Sequence, residues 1–308
     1  MKKRFIVTGG CGFIGSHLVE FLAKMGNHVT VIDNFSSGFV SNINGLSDDV
    51  KIFESSVENF LFDSLDRPDG VFHLAAQASV PYSISNFFES SMINLQSSLK
   101  VIDYCSRKDI PLVYASSSAV YGNLPFGEEH SSLDLLTPYA TDKFMLEEYC
   151  KMANKLYGLR SYGHRFFNVY GPRQDPINPY SGVISIFANK ILKGESVTIN
   201  GGYQTRDFIY VTDVVCGVWK SYEYILKNPV STYSNLLTGD TITIEKLSDI
   251  LINLEGIYVK KIYKDLPLGD PERSQGSKIK MQSQLNMSNF VKLEDGLQRV
   301  LTWMRLEP

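Results

Sequence analysis

Cysteine is scarce in this 308-residue chain: Cys11, Cys105, Cys150 and Cys216 are the only four, far apart and without paired metal-ligand spacing. That argues against a disulfide framework or a structural zinc site and fits a reducing cytoplasm. Long apolar runs are also missing, and no stretch approaches the length needed to span a bilayer. The first apolar run, Phe5-Ile6-Val7 behind Lys2-Lys3-Arg4, stops at Thr8-Gly9-Gly10. It is too short for a signal h-region and reads as a buried first strand. Charge is nearly balanced, at a net −3, so no bulk field draws the chain to nucleic acid or to an anionic membrane. What is present is apolar material, 44% of residues, enough to bury a full core as one large domain or two small ones.

The first half alternates short β-rich runs with helical apolar spacing, the pattern of a parallel sheet covered on both faces. Strands are expected at Arg4–Thr8, His28–Asp33, Val50–Glu54, Gly70–Leu74, Leu112–Ser116 and Ser161–Phe166, with helices at Ile14–Met25, Phe87–Arg107 and Pro138–Leu156. The fold class expected is α/β, a doubly wound Rossmann sheet over residues 1–168. Beyond Asn168 the alternation fails and Gly171-Pro172-Arg173 supplies a turn. Elements near Ser196–Asn200, Asp207–Tyr210, Asp213–Leu226, Ile244–Ile252, Val259–Tyr263 and Leu293–Met304 read as a smaller α/β substrate lobe, residues 169–308, with some pieces returning to the core.

Gly9-x-x-Gly12-x-x-Gly15 falls between a strand and a helix, where a dinucleotide fingerprint has to lie. The first glycine allows the tight turn, the second lets backbone approach a pyrophosphate, and the third lets helix pack on strand, with the diphosphate at the helix N-terminus. The bland reading is a glycine-rich β-turn. Asp33 ends the second strand, where a carboxylate binds ribose hydroxyls. No Lys or Arg occurs between Asp33 and Lys51 to neutralise a 2′-phosphate, so NAD is favoured over NADP. The small residues Ala75-Ala76-Gln77-Ala78 would let backbone pass close to the cofactor, or are ordinary strand-end packing.

Tyr139 and Lys143 stand at i and i+4 on one helix face, downstream of the hydroxyl run Ser116-Ser117-Ser118. A phenol near ~10 is a poor base at neutral pH, but an ammonium beside it favours the phenolate and brings it into working range. In an open parallel sheet ligands bind beyond the carboxyl ends of strands, so the serine run at the end of the fifth strand is expected to face the cleft. Serine runs are otherwise usually loop.

Together with His73-Leu74-Ala75-Ala76, Arg165-Phe166-Phe167-Asn168-Val169-Tyr170-Gly171-Pro172-Arg173, Arg206-Asp207-Phe208-Ile209-Tyr210 and Leu293-Glu294-Asp295-Gly296-Leu297, these motifs make nearly the whole chain resemble an extended short-chain dehydrogenase/reductase. The resemblance is to nucleotide-sugar 4-epimerases of the UDP-glucose and UDP-N-acetylglucosamine type. It implies that Tyr139 removes the sugar O4 proton as hydride leaves C4 for NAD, that Ser117 hydrogen-bonds O4, and that Lys143 also holds the nicotinamide ribose. The resemblance further implies cofactor contacts from Gly9, Gly12, Phe13, Ile14, Gly15, Asp33, Asn34, Ser56, Val57, Leu74, Ala75 and Ala76. Phe166 is implied beside the nicotinamide or equally as core, and Asn94 as a mid-helix residue shaping the site through backbone contacts. Substrate contacts are implied for Ser79, Ser116, Ser117, Ser118, Asn168, Val183, Arg206, Asp270, Arg273 and Ser274, with Asn168 and Arg206 on the diphosphate and Asp270 on a ribose.

Related dehydratases carry an Asp-Glu pair where Ser118 and Ala119 stand, and uronate decarboxylases a glutamate at Ala119. With no acid there, hydride removal and return, epimerisation at C4, is the simplest chemistry left. Pro81 replaces the arginine of uronate epimerases, which favours a neutral hexose. The family's pocket gate falls on the small Ser274 and favours UDP-GlcNAc/UDP-GalNAc, with UDP-Glc/UDP-Gal also accepted. Departures from the family are Pro267 for an arginine, with Arg273 as its stand-in, Ser56 for an acidic residue, and Asn200-Gly201-Gly202 for Gly-Asp-Gly.

Two rivals remain. One is a reductase or synthase that releases a reduced product; the other is a non-catalytic NAD-binding sensor, for which a tuned tyrosine would be needless. His73 and His164 read as packed or cofactor-adjacent side chains with no ligand spacing between them, so no metal is expected. Helices Phe87–Arg107 and Pro138–Leu156 resemble the family's dimer pair, or simply cover the sheet; a homodimer is expected.

Overall fold

Seven parallel strands form the centre of the molecule. The computed structural model describes residues 2–178, 181–266 and 271–306. Its first half runs β1 (Arg4–Thr8), α1 (Phe13–Lys24), β2 (His28–Asp33), β3 (Val50–Glu54), β4 (Gly70–His73), α2 (Val80–Ser85), α3 (Phe87–Lys108), β5 (Leu112–Ser117), α4 (Pro138–Tyr157) and β6 (Ser161–Phe166). The second half runs β7 (Asn168–Tyr170), α5 (Val183–Leu192), β8 (Val197–Asn200), β9 (Thr205–Tyr210), α6 (Val211–Lys227) and β10 (Ser231–Leu236). It continues with β11 (Thr241–Thr243), α7 (Ile244–Glu255), β12 (Lys261–Lys264), β13 (Arg273–Ser274), α8 (Ile279–Leu285) and α9 (Leu293–Leu306).

The sheet order is β10-β6-β5-β4-β1-β2-β3, the doubly wound arrangement. Successive residues of a strand point to opposite faces, so Phe5 and Val7 enter one apolar cluster with α1 and α6 while Ile6 enters the other with α3 and α4. Each such fully buried side chain contributes roughly 2 kcal/mol. The connections reverse direction between β1 and β4, which opens a crevice at their carboxyl ends.

α4 has a defined start: the Thr137 hydroxyl accepts the Ala140 N–H at 3.2 Å, Pro138 opens the first turn, and the helix ends at Gly158 with φ 74°. This start fixes Tyr139 in the first turn, beside the end of β5.

The first six strands and three long helices lie where the spacing expects them, within a residue. β10 was not expected. Its sequence, Ser-Thr-Tyr-Ser-Asn-Leu, is too polar to read as a buried strand, yet it pairs with β6 from Ser231↔Ser161 to Leu236↔Phe166. α5 was also unforeseen, since Ile184, Phe187, Ala188 and Ile191 bury much of its surface in a second cluster and blur its periodicity. In that second layer β9 pairs with β7, β11 and β13, which brings Asn168, Arg206 and Ser274 together.

Candidate active site

The glycine turn after β1 admits no side chains. A Cβ on Gly15 would stand 2.0 Å from the Gly9 carbonyl oxygen, and one on Gly9 2.8 Å from the Ala75 nitrogen, where φ is already 69°. No side chain caps the helix start at Gly12, so the amides of Phe13, Ile14 and Gly15 have no intrahelical acceptor and suit an anion. These residues line a cleft of about 930 Å³ with Asp33, Asn34, Ser56, Val57, Leu74, Ala75 and Ala76. Asp33 is buried, and its carboxylate accepts the Cys11 and Phe35 N–H groups, each at 2.9 Å. A glycine cradle closed to any Cβ, a bare helix start and a fixed carboxylate fit a dinucleotide without a 2′-phosphate.

A second cavity, of about 330 Å³, contains Ser118, Arg206, Arg273 and Ser274. Ser117, Tyr139, Phe166 and Asn168 line both cavities. The β5–β6 register sets Ser117 opposite Phe166, and the Asn168 amide reaches Asp207 O at 2.9 Å and Ser274 Oγ at 3.4 Å. Lys143 lines only the larger cleft and donates to the Ala115 carbonyl at 2.8 Å.

Burial pushes the Tyr139 phenol up to about 12, opposed by a hydrogen bond from Ser117 and reinforced by the Asp142 charge. Burial also draws Lys143 down to about 8. In the protein by itself desolvation dominates at both groups, because both lie in the interior and each favours its neutral form.

Ser116 lines the larger cleft beside Ser117, but it is nearly fully buried and its hydroxyl donates to Glu147 Oε1 at 2.5 Å. Asn94 lines neither cavity; its amide accepts from Gln77 N at 2.8 Å and donates to Gln77 O at 3.2 Å, holding a cleft-wall residue by its backbone. Ser79 caps α2 through Tyr82 N and lines the larger cleft. Val183 begins α5 and lines neither cavity, packing instead on the second apolar cluster. Asp270, like Pro267, lies outside the described residues.

Sequence reading missed several wall residues. Tyr82 and Glu89, hydrogen-bonded at 2.8 Å, lie on the cofactor side with Arg173 and Gln174. Leu124, Leu136 and Phe167 lie on the smaller cavity. Phe167 and Arg173 fall within the Arg165–Arg173 motif, which could have pointed to them; the others carry no local signal.

His73 bonds Thr8 Oγ1 through Nδ1 at 2.8 Å, and burial draws its pKa down to about 3. His164 bonds Ser221 Oγ at 2.9 Å and is likewise drawn down to about 3 by burial. Among the described residues no three His, Cys, Asp or Glu side chains are grouped to hold a metal, and no helix is long and apolar enough to cross a membrane.

Residues 5–232 match the model of the NAD dependent epimerase/dehydratase family. A UDP-N-acetylglucosamine 4-epimerase from Methanobrevibacter ruminantium M1, solved with UDP-N-acetylmuramic acid, is similar at 35% identity over 100% of both chains, with a TM-score of 0.94. A UDP-glucose 4-epimerase of Thermotoga maritima, solved with UDP-glucose, is similar at 33% identity over 99% of both chains, with a TM-score of 0.92. A UDP-N-acetyl-alpha-D-glucosaminuronate decarboxylase of Bacillus cytotoxicus is 31% identical over 99% of this chain and 98% of its own.

Proposed function

Because this chain belongs to the NAD-dependent epimerase/dehydratase family and takes NAD as its cofactor, we propose that it interconverts the C4 epimers of a UDP-hexose. The observation that carries the reading is the junction: Ser117 and Tyr139 line both the dinucleotide cleft and the smaller cavity. A sugar in that cavity meets the base and the cofactor at one carbon. NAD, when bound, supplies the reversible hydride acceptor. Tyr139 takes the O4 proton, Ser117 hydrogen-bonds that oxygen, and Lys143 holds the nicotinamide ribose and adds positive charge. Asn168 and Arg206 hold the diphosphate, with Arg273 beside them and Asp270 on the ribose. In this reading residues 1–168 carry the cofactor and 169–308 chiefly the nucleotide sugar.

Similarity to a decarboxylase makes acid chemistry the rival. Among its described residues the smaller cavity has no Asp or Glu, and Ser118 and Ala119 lie in its wall. No acid at positions 118 and 119 is there to assist elimination or decarboxylation, which supports proton removal and return by Tyr139. Ser274 lies in the same wall, which supports UDP-GlcNAc/UDP-GalNAc as the preferred pair with UDP-Glc/UDP-Gal also turned over. We further propose a homodimer through α3 and α4, where Phe88, Met92, Leu99, Met152 and Leu156 are exposed.

The test is proton NMR of the purified protein, without added cofactor, incubated separately with UDP-GlcNAc and UDP-Glc. Growth of the C4 epimer is expected with both, faster with UDP-GlcNAc. No conversion of either, with NAD present in the protein, sinks the reading.

A further inference from the structure

The wall of the smaller cavity that carries Ser274 has little support of its own. β13 is two residues long and pairs with β9 only through Arg273↔Thr205 and Ser274↔Arg206. Residues 275–277, immediately after β13, are tied to the loop after Ser117. Gly127 N–H donates to the Gln275 carbonyl at 2.9 Å, Ser277 N–H to the Gly127 carbonyl at 2.9 Å, and Gln275 Nε2 to the Pro125 carbonyl at 3.1 Å. Tyr121, Gly122 and Leu124 line the cavity from this loop, and Ser274 and Gln275 from the other side.

Asn235, fully buried on β10, sits at the knot. Its Nδ2 donates to both segments, to Gly127 O at 3.0 Å and Ser277 O at 3.1 Å, while Oδ1 accepts the Tyr121 hydroxyl at 2.6 Å. Its backbone N–H donates to Glu129 at 2.8 Å. The packing is tight: a Cβ on Gly276 would stand 2.5 Å from the Gly127 carbonyl oxygen, and one on Gly127 2.5 Å from the Tyr121 ring. Behind the knot, Arg165 Nη1 donates to the Tyr121 oxygen at 3.0 Å, Arg165 pairs with Glu147 at 2.7 Å, and Glu147 accepts Ser116 Oγ. A buried chain of polar contacts therefore runs from the strand end bearing Ser117 to the wall bearing Ser274.

We infer that Asn235 is a positioning residue for sugar selectivity, setting the width of the substrate pocket by clamping the 274–277 strap to the 121–129 loop. The amide is suited to this because it donates twice and accepts once, and no other neutral side chain of its size does both. The inference deepens the C4-epimerase reading, on which its sugar-selectivity arm rests.

Asn235→Asp keeps the shape and replaces the donating amide with an acceptor facing two carbonyls; Tyr121→Phe, which removes one hydroxyl, is the milder second variant. Hydrogen–deuterium exchange on the holoenzyme, kcat/KM for UDP-GlcNAc and UDP-Glc, and the Kd of UDP are measured for each. In a folded, NAD-bearing variant, exchange in 122–131 and 271–279 rises about tenfold, the loss of one hydrogen bond, with β1, β4 and β5 unchanged. The ratio of kcat/KM between the two sugars shifts about fivefold or more, mainly through KM. Unchanged exchange overturns the clamp, and released segments with a ratio within about twofold overturn its role in selectivity. Should Asn235→Asp not fold, the same readouts on Tyr121→Phe decide. A wild-type protein that converts neither sugar overturns the epimerase reading alone; the clamp is then judged on exchange and on a Kd of UDP weakened about fivefold, and an unchanged Kd overturns it.

Discussion

Lys143 Nζ stands 5.7 Å from the centre of the Tyr139 ring and gives its hydrogen bond to the Ala115 carbonyl, not to the phenol. The lysine thus holds the end of β5, and with it Ser117, while its charge faces the ring from one helical turn away. Besides burial, the base has two direct influences, Ser117 by hydrogen bond and the Asp142 charge in the helix after it.

Removing the phenol oxygen should separate chemistry from binding. Tyr139→Phe is expected to lower kcat by about 10²–10⁴, the span of a general base, while the purified variant still contains NAD. Absorbance and cofactor release on denaturation measure the second quantity. A variant retaining wild-type kcat would remove Tyr139 from the chemistry.

Burial of Lys143 predicts a pH dependence of stability in cofactor-stripped protein. Its pKa is drawn from 10.5 down to about 8. Below pH 8 both folded and unfolded chains hold the proton. Between about 8 and 10.5 only the unfolded chain holds it, so the unfolded state binds more protons and stability rises with pH. Tyr139 has the opposite sign, its pKa raised from 10.0 to about 12: the folded chain keeps its proton and stability falls across that higher window. Lys143→Met should lose the first rise, worth roughly 3 kcal/mol at most. Urea unfolding at several pH values between 7.5 and 10 checks it; parallel curves for the two proteins would contradict the assignment.

The sheet was legible chiefly because β1, β2, β4 and β5 are short β-rich runs punctuated by turns and buried over most of their length. β10 was not, because Ser234 and Asn235 are buried polar residues whose partners lie far away in sequence. Among the site residues, the glycine turn and Asp33 were readable since their spacing is local. A run of three serines does not announce which hydroxyl is left for a ligand; that the Ser116 hydroxyl is taken by Glu147, 31 residues on, is long-range information. The meeting of Asn168, Arg206 and Ser274 depends on the pairing of β9 with β7 and β13, and that is long-range information.

Glu147 and Arg165 form an ion pair with side chains 0% and 1% exposed. Removing one partner strands the other charge, a loss of about 3–5 kcal/mol. Glu147→Gln is therefore expected to shift the denaturation midpoint strongly, and the double change Glu147→Met with Arg165→Met to recover part of the loss. Equal destabilisation by the single and double variants would show that the pair is not coupled.

Bulk at Ser274 should narrow the sugar pocket. Its hydroxyl lies 3.4 Å from the Asn168 amide in the smaller cavity, so Ser274→Tyr places a ring where the sugar substituent is read. Loss of UDP-GlcNAc turnover by about tenfold or more is expected, with UDP-Glc turnover kept within a few fold, since exclusion here is steric. NMR rates for the two sugars check it; equal losses would remove Ser274 from selectivity.

The outer face of α3 and α4 predicts self-association. Phe88 is 76% exposed and Leu156 64%, with Met92, Leu99 and Met152 along the same two adjacent helices. Phe88 and Met92 are spaced i, i+4, as are Met152 and Leu156, so each helix presents one apolar stripe. A face of this kind on two packed helices suits an isologous twofold contact, in which each stripe meets its own copy. A carboxylate within such a contact would have to be buried without a partner, at a cost of several kcal/mol. Phe88→Asp is therefore expected to weaken the dimer by about 100-fold or more and yield a folded monomer. Sedimentation velocity across a concentration series reads this directly, and a wild-type protein that sediments as a monomer throughout would show that the stripe serves another purpose.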